Sequence, residues 1–413
     1  MIEQPVLTPV RPERKLVRLL GPAFVAAIAY VDPGNIAANV SAGAGYQYLL
    51  VWVLVAADAV AVVVQYLSAK LGLVTGRSLP ELLGDRLPRA GRLAYWAQAE
   101  LVAAATDVAE VIGGAIALGI LFGIPLPLGG LIVGVVSIGI LAVQSRYGQH
   151  TFELVVIGLL AIIAVGFVAG LFVSTIDWGD AAAGLVPQFA GTPTVLLAAS
   201  MLGATVMPHA VYLHSSLARD RHGFDPDPSR IRRLLRATRW DVSIALVIAG
   251  SVNIALLLLA AANLHGVPDV DTIEGAQAAI YRTLGPAVGI TFAVGILASG
   301  LASTSVGCYA GATIMSGLLR ARIPLVVRRA LTLIPGLVIL SLDVDPTRAL
   351  VLSQVLLSMG IPFAIIPLAW LTSRRRLMGV FTNTRTLRIT AVAVAIAIVT
   401  LNVVLLYLTF TGR

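Results

Sequence analysis

The sequence predicts an all-α protein that crosses a membrane many times. Of its 413 residues, 58% are hydrophobic and only 12% are charged, and the mean hydropathy is +0.91. Soluble domains have about a quarter of their residues charged, so the composition excludes an ordinary soluble protein. Two further observations define the architecture: charge alternates between the apolar segments, and two of these segments carry matching interruptions.

Eleven apolar segments approach the length of about 20 residues that a membrane-spanning helix needs. They lie at 19–42, 47–69, 94–122, 128–144, 153–174, 194–217, 241–262, 284–318, 323–341, 349–372 and 389–411. Residues 1–18 are then an N-terminal segment. If that segment is cytoplasmic, the cytoplasmic connectors, together with Arg328 and Arg329 at the start of span nine, hold 26 of the 29 Lys and Arg residues. The positive-inside rule therefore predicts a cytoplasmic N-terminus and an external C-terminus.

The net charge of +8 and the pI near 10 raise the question of a nucleic-acid partner. The basic residues lie in the connectors, and the densest run covers 230–239. We interpret this run as a topology signal that contacts lipid headgroups, and we expect no nucleic-acid partner. The single cysteine, Cys308, excludes an intramolecular disulfide.

The first and sixth spans carry matching interruptions. The first contains "AYVDPGN" at 29–35 and the sixth "ATVMPH" at 204–209. Alone, Asp-Pro-Gly-Asn is a favourable turn sequence, but here it lies inside an apolar segment and has a partner. Five spans separate the starts of the two copies, so the second copy has the opposite orientation in the membrane. Broken helices at matching positions of inverted repeats are typical of a transporter's substrate site.

The repeat predicts three membrane regions. They are a first five-helix repeat at 19–174, an inverted second repeat at 194–372 and an additional eleventh helix at 389–411. Helices 1 and 6 are expected to be discontinuous because proline removes a backbone donor and clashes with the preceding turn.

The residues at the two breaks predict a cation site. Asp32 and Asn35 offer oxygen atoms, and carbonyls near Ala29 and Ala204 are freed by the prolines. Met207 adds a thioether, which Mg²⁺ and Ca²⁺ do not use and which suits Mn²⁺, Fe²⁺, Co²⁺ or Cd²⁺ better. The alternative for Met207 is a packing residue that fills a gap in the core.

Five carboxylates lie within spans, and such residues are usually functional. They are Asp32, Asp58, Glu100, Asp107 and Glu110. The last three share one face of span three, so they are candidates to carry protons.

His209 is a further proton-carrying candidate, because imidazole titrates near neutral pH. Alternatives remain for the other candidates. Asp107 and Glu110 can belong to a buried ion pair, His214 can make a local hydrogen bond, and Asp58 can be an extra proton site or face a water-filled vestibule.

"DPGN" in span one together with "MPH" in span six resembles the Nramp (natural resistance-associated macrophage protein) family of proton-coupled divalent metal transporters. "ATDVAE", "HAVYLHS" and "LSQVLLSMGIPFA" are similar to further family segments. The resemblance implies a LeuT-like five-plus-five inverted repeat with an eleventh helix. It also implies import of Mn²⁺, and also Fe²⁺, together with protons, by a bacterial-type carrier in the inner (plasma) membrane. We expect a monomer without a resident cofactor, whose partners are the metal ion, protons and membrane lipid.

Carried onto this chain, the resemblance assigns two sets of residues. The metal ligands are Asp32, Asn35, Met207 and the carbonyls of Ala29 and Ala204, which Gln354 joins in some conformations. The proton path comprises Asp32, His209, Asp107 and Glu110, with Arg328 or Arg329 as the counter-charge.

Other functions fit the sequence less well. A sodium- or proton-coupled organic-solute symporter has the same architecture, but it usually grips a carboxylate with helix N-termini rather than with an anionic, sulfur-containing site. A metal-gated channel needs rings of ligands. An intramembrane zinc protease needs a motif such as His-Glu-x-x-His, which is absent, so we expect no enzyme.

Overall fold

The computed structural model describes residues 20–270, 272–321, 323–342 and 345–411, and these residues form helices and connectors with no strand. The predicted segment 1–18 lies outside them. The helices are α1 Pro22–Ile28, α2 Pro33–Tyr46, α3 Val51–Thr75, α4 Leu79–Arg86, α5 Arg89–Phe122, α6 Leu126–Tyr147, α7 Gln149–Val168, α8 Trp178–Ala183, α9 Thr192–Thr205, α10 Pro208–His222, α11 Pro228–Asn263, α12 Ile273–Leu284, α13 Pro286–Leu319, α14 Leu325–Leu340, α15 Pro346–Thr372, α16 Arg375–Met378 and α17 Arg385–Thr411.

The all-helical membrane architecture is confirmed. Within the described ranges, nine helical segments are long and apolar enough to cross a bilayer. The predicted first span is divided into α1 and α2, and the predicted ninth span corresponds to α14, which has 16 residues. These two are too short to be counted by length alone, so the number of eleven stays a prediction.

Prolines determine where the predicted first span (α1 and α2) and sixth span (α9 and α10) break. Pro33 begins α2 and Pro208 begins α10, and proline is favoured at a first helical position because that N–H has no partner in the helix. Each proline also removes the donor that would reach the carbonyl four residues earlier. Those carbonyls belong to Ala29, in the 3-10 turn Ala29–Val31, and to Ala204, in the last turn of α9.

The packing of the second group of five helices repeats that of the first. α2 packs against α11 as α10 packs against α3, and α7 packs against α13 as α15 packs against α5. Helices α5 and α13, which correspond to the predicted third and eighth spans, form the most extensive contact in the bundle. This correspondence is what a five-plus-five repeat predicts, while the proposed bounds at 19–174, 194–372 and 389–411 stay predictions.

The basic connectors meet at one end of the bundle. Arg219 donates to Glu81 at 2.5 Å, Arg320 donates to Asp85 at 3.1 Å, and Lys70 donates to Asn383 at 2.8 Å. These contacts bring together the connectors after α3, α10, α13 and α15, all of which were assigned to the cytoplasmic side. The side of the membrane that this basic end faces stays a prediction.

Candidate metal site and buried charges

Asn35 connects the two broken helices. Asp32 caps the N-terminus of α2 and accepts hydrogen bonds from the backbone N of Asn35 at 2.7 Å and from its Nδ2 at 3.0 Å. The same Nδ2 donates to the carbonyl of Ala204 at 3.0 Å. All three residues are fully buried. A side chain of the first break thus reaches a backbone oxygen freed by the second.

Helix α15 covers the breaks. Gln354 Nε2 donates to Asp32 Oδ2 at 3.2 Å. The Gln354 side chain lies so close to Gly34 that a Cβ atom at this position would collide with it. A Cβ atom at Gly203 would likewise collide with the backbone of α15. Met207 precedes α10 and is fully buried. Gly34, next to Pro33, and Gly203, next to Ala204, therefore allow α15 to approach the site.

Two buried side-chain oxygens, one at the first break and one on α15 beside it, have no hydrogen-bond partner among the described residues. They are Asn35 Oδ1 and Gln354 Oε1. An unsatisfied buried polar atom costs about 1–3 kcal/mol, and a bound cation would remove this cost. With Asp32, Met207 and the carbonyls of Ala29 and Ala204, the available donors are oxygens and one sulfur.

This composition differs from that of a usual protein metal site. Across the described ranges, no cluster of three or more His, Cys, Asp or Glu side chains is arranged to hold a metal ion. The breaks contribute a single carboxylate and draw their remaining donors from an amide, a thioether and the backbone. With one charged ligand, such a site would bind a divalent ion less tightly than a cluster of carboxylates does.

Side chains from the second repeat hold the unwound part of helix 1 open. Asn253 of α11 donates to the carbonyl of Tyr30 at 2.7 Å, and Ser299 of α13 donates to the carbonyl of Val31 at 2.5 Å. Asn39 of α2 donates in turn to Asn253 Oδ1 at 2.9 Å. Our reading of the sequence did not identify Asn253 or Ser299. The signal that could have found them is a polar residue inside an otherwise apolar span.

Two carboxylates of α5 form ion pairs with α14. Asp107 binds Arg329 and accepts a hydrogen bond from Thr304 Oγ1 at 2.7 Å. Glu100 lies 2.6 Å from a guanidinium nitrogen of Arg328. Both arginines suggested as counter-charges therefore lie beside carboxylates of span three. For Asp107 the geometry is that of the buried ion pair, which was the alternative reading.

Glu110 and His209 are buried without such partners. Neither oxygen of the Glu110 carboxylate and neither ring nitrogen of His209 is hydrogen-bonded within the described part of the chain. The Glu110 carboxylate faces Gly307 of α13, where an added Cβ would lie 2.9 Å from Oε2. The nearby Ser303 donates its hydroxyl to the carbonyl of Ser299 instead, at 2.8 Å. Two of the predicted proton-path residues are therefore buried without a hydrogen-bond partner among the described residues.

The remaining candidates have different surroundings. His214 Nδ1 lies 2.6 Å from Gln65 Oε1, and Gln65 also bonds to the hydroxyl of Tyr30. This is the local hydrogen bond that was the alternative for His214. Asp58 is half-buried and faces Gly250 of α11. Its two readings, an extra proton site or a vestibule residue, both stay open.

Known proteins resemble this chain over nearly its whole length. The model of the natural resistance-associated macrophage protein-like (Nramp) family matches residues 23–408. The "divalent metal cation transporter MntH" of Mycobacterium tuberculosis (strain H37Rv) is 62% identical over 395 residues, which cover 95% of this chain and 92% of that protein.

Solved structures share the fold. A manganese transporter of Eremococcus coleocola has a TM-score of 0.85 at 30% identity and covers 97% of this chain and 88% of its own. The transporter Mhp1, of the nucleobase-cation-symport-1 family, has a TM-score of 0.65 at 18% identity, covering 97% of this chain and 92% of its own. At that identity the likeness shows the fold alone.

Proposed function

We propose that this chain, which belongs to the Nramp family, imports divalent transition-metal ions, Mn²⁺ first among them, and binds them between its two broken helices. Membership of the family confirms the resemblance seen in "DPGN" and "MPH". It also makes the chain a membrane transporter rather than an enzyme.

The observation that carries the proposal is the junction of the two breaks at Asn35. Its amide bonds to Asp32 in the first repeat and to the Ala204 carbonyl in the second. A cation that replaces this amide N–H would be held by oxygens from both repeats, with the thioether of Met207 beside them. A sulfur donor favours transition metals over Mg²⁺ and Ca²⁺, so we expect Mn²⁺ and Fe²⁺ as substrates.

Protons would enter through the same carboxylate. A divalent ion binds best to ionised Asp32, so its arrival displaces a proton from that group. His209 of α10 and Glu110 of α5, which have no hydrogen-bond partner within the described residues, can accept the proton. Asp107, which is paired with Arg329, lies one turn from Glu110 on the same face of α5. Each positive charge that enters an inside-negative cell gains about 2.3 kcal/mol per 100 mV, which drives metal and proton inward together.

The geometry favours a carrier over a channel. Asp32, Asn35, Met207 and Gln354 are all fully buried, so in this conformation water reaches the site from neither side. A carrier passes through such a closed state, and alternating access then requires α1, α10 or α15 to move. An organic-solute symporter on the same fold usually grips a carboxylate substrate, which the anionic Asp32 would repel.

Metal uptake by reconstituted vesicles tests the assignment. We expect Asp32→Ala to abolish uptake of radiolabelled Mn²⁺, because the only anionic ligand is lost. Glu110→Gln should retain much of the metal uptake and disturb proton entry, measured with a pH-sensitive dye in the same vesicles. Asp177→Ala, which removes an exposed loop carboxylate, is the control and should leave both fluxes unchanged. Unchanged Mn²⁺ uptake in Asp32→Ala would exclude this site.

A further inference from the structure

We propose that the groove between α15 and α17 binds an anionic phospholipid at the basic end of the bundle. The groove is a cavity of about 600 Å³, within the range of about 300–1,000 Å³ found for small-molecule sites. Its walls are mainly apolar and include Ile366 and Trp370 from α15 and Val392, Ile396 and Val399 from α17. Such walls fit an acyl chain.

Two arginines stand at one end of the groove, one from each side of the connector. Arg374 follows α15, and Arg388 lies in the first turn of α17. The Arg374 guanidinium carbon lies 3.6 Å from the centre of the Trp370 ring. Stacking on an aromatic face stabilises a guanidinium, so Arg374 is held at the entrance to the groove with its N–H donors free for an anion.

Arg374 and Arg388 lie in a part of the chain that has no acidic residues of its own. The sequence contains no Asp or Glu from Pro346 to the C-terminus. In the described part of the chain, neither Arg374 nor Arg388 forms an ion pair with a carboxylate. Two arginines that line one groove match a phosphodiester, because arginine recognises phosphate oxygens with paired N–H donors.

The position favours a lipid over a soluble anion. Helices α15 and α17 are both apolar and long enough to span a bilayer, and the groove opens on their outward faces. Val392 and Ile396 remain 47% and 61% exposed there. Apolar walls continuous with a charged entrance suit a molecule that has both an acyl chain and an anionic headgroup. Basic pockets between spans on the cytoplasmic side bind such lipids.

The competing explanation is that the arginines serve only as a topology signal. Such a signal depends on the number of basic residues in the connector and not on their positions. Arg375 and Arg376 lie in the same connector and carry the same charge, but they do not line the groove. They therefore provide a matched control.

Lipid binding to the purified full chain tests the proposal. Phosphatidylglycerol is titrated into the detergent-solubilised protein and its bound fraction is measured by native mass spectrometry. A specific hydrogen bond contributes about 1 kcal/mol net, roughly a fivefold change in affinity. We expect Arg374→Gln/Arg388→Gln to weaken binding about 25-fold on that basis, and Arg375→Gln/Arg376→Gln to weaken it less than about twofold. Equal losses in the two double variants, or no loss in either, would overturn the proposal.

Two further experiments test whether the phosphate group belongs to a lipid and whether the acyl chains of that lipid lie beside Trp370. Glycerophosphoglycerol, the headgroup without acyl chains, should not displace the lipid at equal concentration, and displacement would contradict a lipid site. Phosphatidylglycerol with brominated acyl chains should quench Trp370 fluorescence more than brominated phosphatidylcholine does. In a variant whose other tryptophans are phenylalanine, equal quenching by the two lipids would also overturn the proposal.

Discussion

At the proposed site, Met207 would supply the one soft donor atom among oxygen donors. It lies directly before Pro208 and is fully buried, so its position is determined by the start of α10. Mg²⁺ and Ca²⁺ take oxygen ligands. A transporter that must choose Mn²⁺ gains discrimination from a ligand that the competing ions do not use.

Met207→Ala should reduce this discrimination. We expect isothermal titration to show a loss of about tenfold or more in Mn²⁺ affinity, equivalent to about 1.4 kcal/mol, and no loss for Mg²⁺ or Ca²⁺. Met201→Ala is the control, because Met201 is equally buried in α9 and loses the same atoms. If both variants lost Mn²⁺ affinity alike, the thioether would be a packing group.

The residues of the breaks were predictable and their supports were not. Asp32, Asn35 and Met207 stand at fixed offsets from a repeated proline, so the sequence itself places them together. Asn253 and Ser299 follow no such pattern. A lone polar residue in a span does not show which backbone carbonyl it will face, because that depends on how the helices pack.

Helix α14 is clamped to α5 by charge. Arg329 is fully buried and binds Asp107 as well as Ser137, whose hydroxyl lies 2.7 Å from its Nε. The neighbouring Arg328 binds Glu100, whose side chain keeps 23% of its surface exposed. Water can therefore solvate Glu100 after the loss of Arg328 better than it can solvate Asp107 after the loss of Arg329.

Removing each arginine tests this difference. Arg329→Gln leaves Asp107 charged and buried, which costs about 3–5 kcal/mol, so thermal unfolding in detergent should occur at a clearly lower temperature. Arg328→Gln is the matched change and should lower that temperature less. Asp107→Asn combined with Arg329→Gln should recover most of the loss. Equal destabilisation by the two single variants would contradict this explanation.

Helix boundaries were predicted where apolar length decides them. Helix α11 was expected at 241–262 and begins at Pro228, because its first turns are basic and hydropathy does not detect them. The short helices α4 and α12 in the connectors were not predicted for the same reason. Both are amphipathic or polar and lie at the ends of the bundle.

The complete bundle places two distant segments of the chain side by side. The fold brings the first and sixth helices together, and both break where the repeats meet. The same fold serves Mhp1, so architecture alone does not select a substrate. In the proposed function, the substrate class follows instead from the donors that each repeat would contribute: a carboxylate, an amide and a carbonyl from the first, and a carbonyl and a thioether from the second.

The most direct test of a site shared by the two repeats is the anomalous diffraction of crystals soaked in Mn²⁺. We expect a single strong peak between the breaks, within coordination distance of the Asp32 carboxylate and the Met207 sulfur. A peak beside Glu110 or in a connector, with none between the breaks, would contradict the shared site.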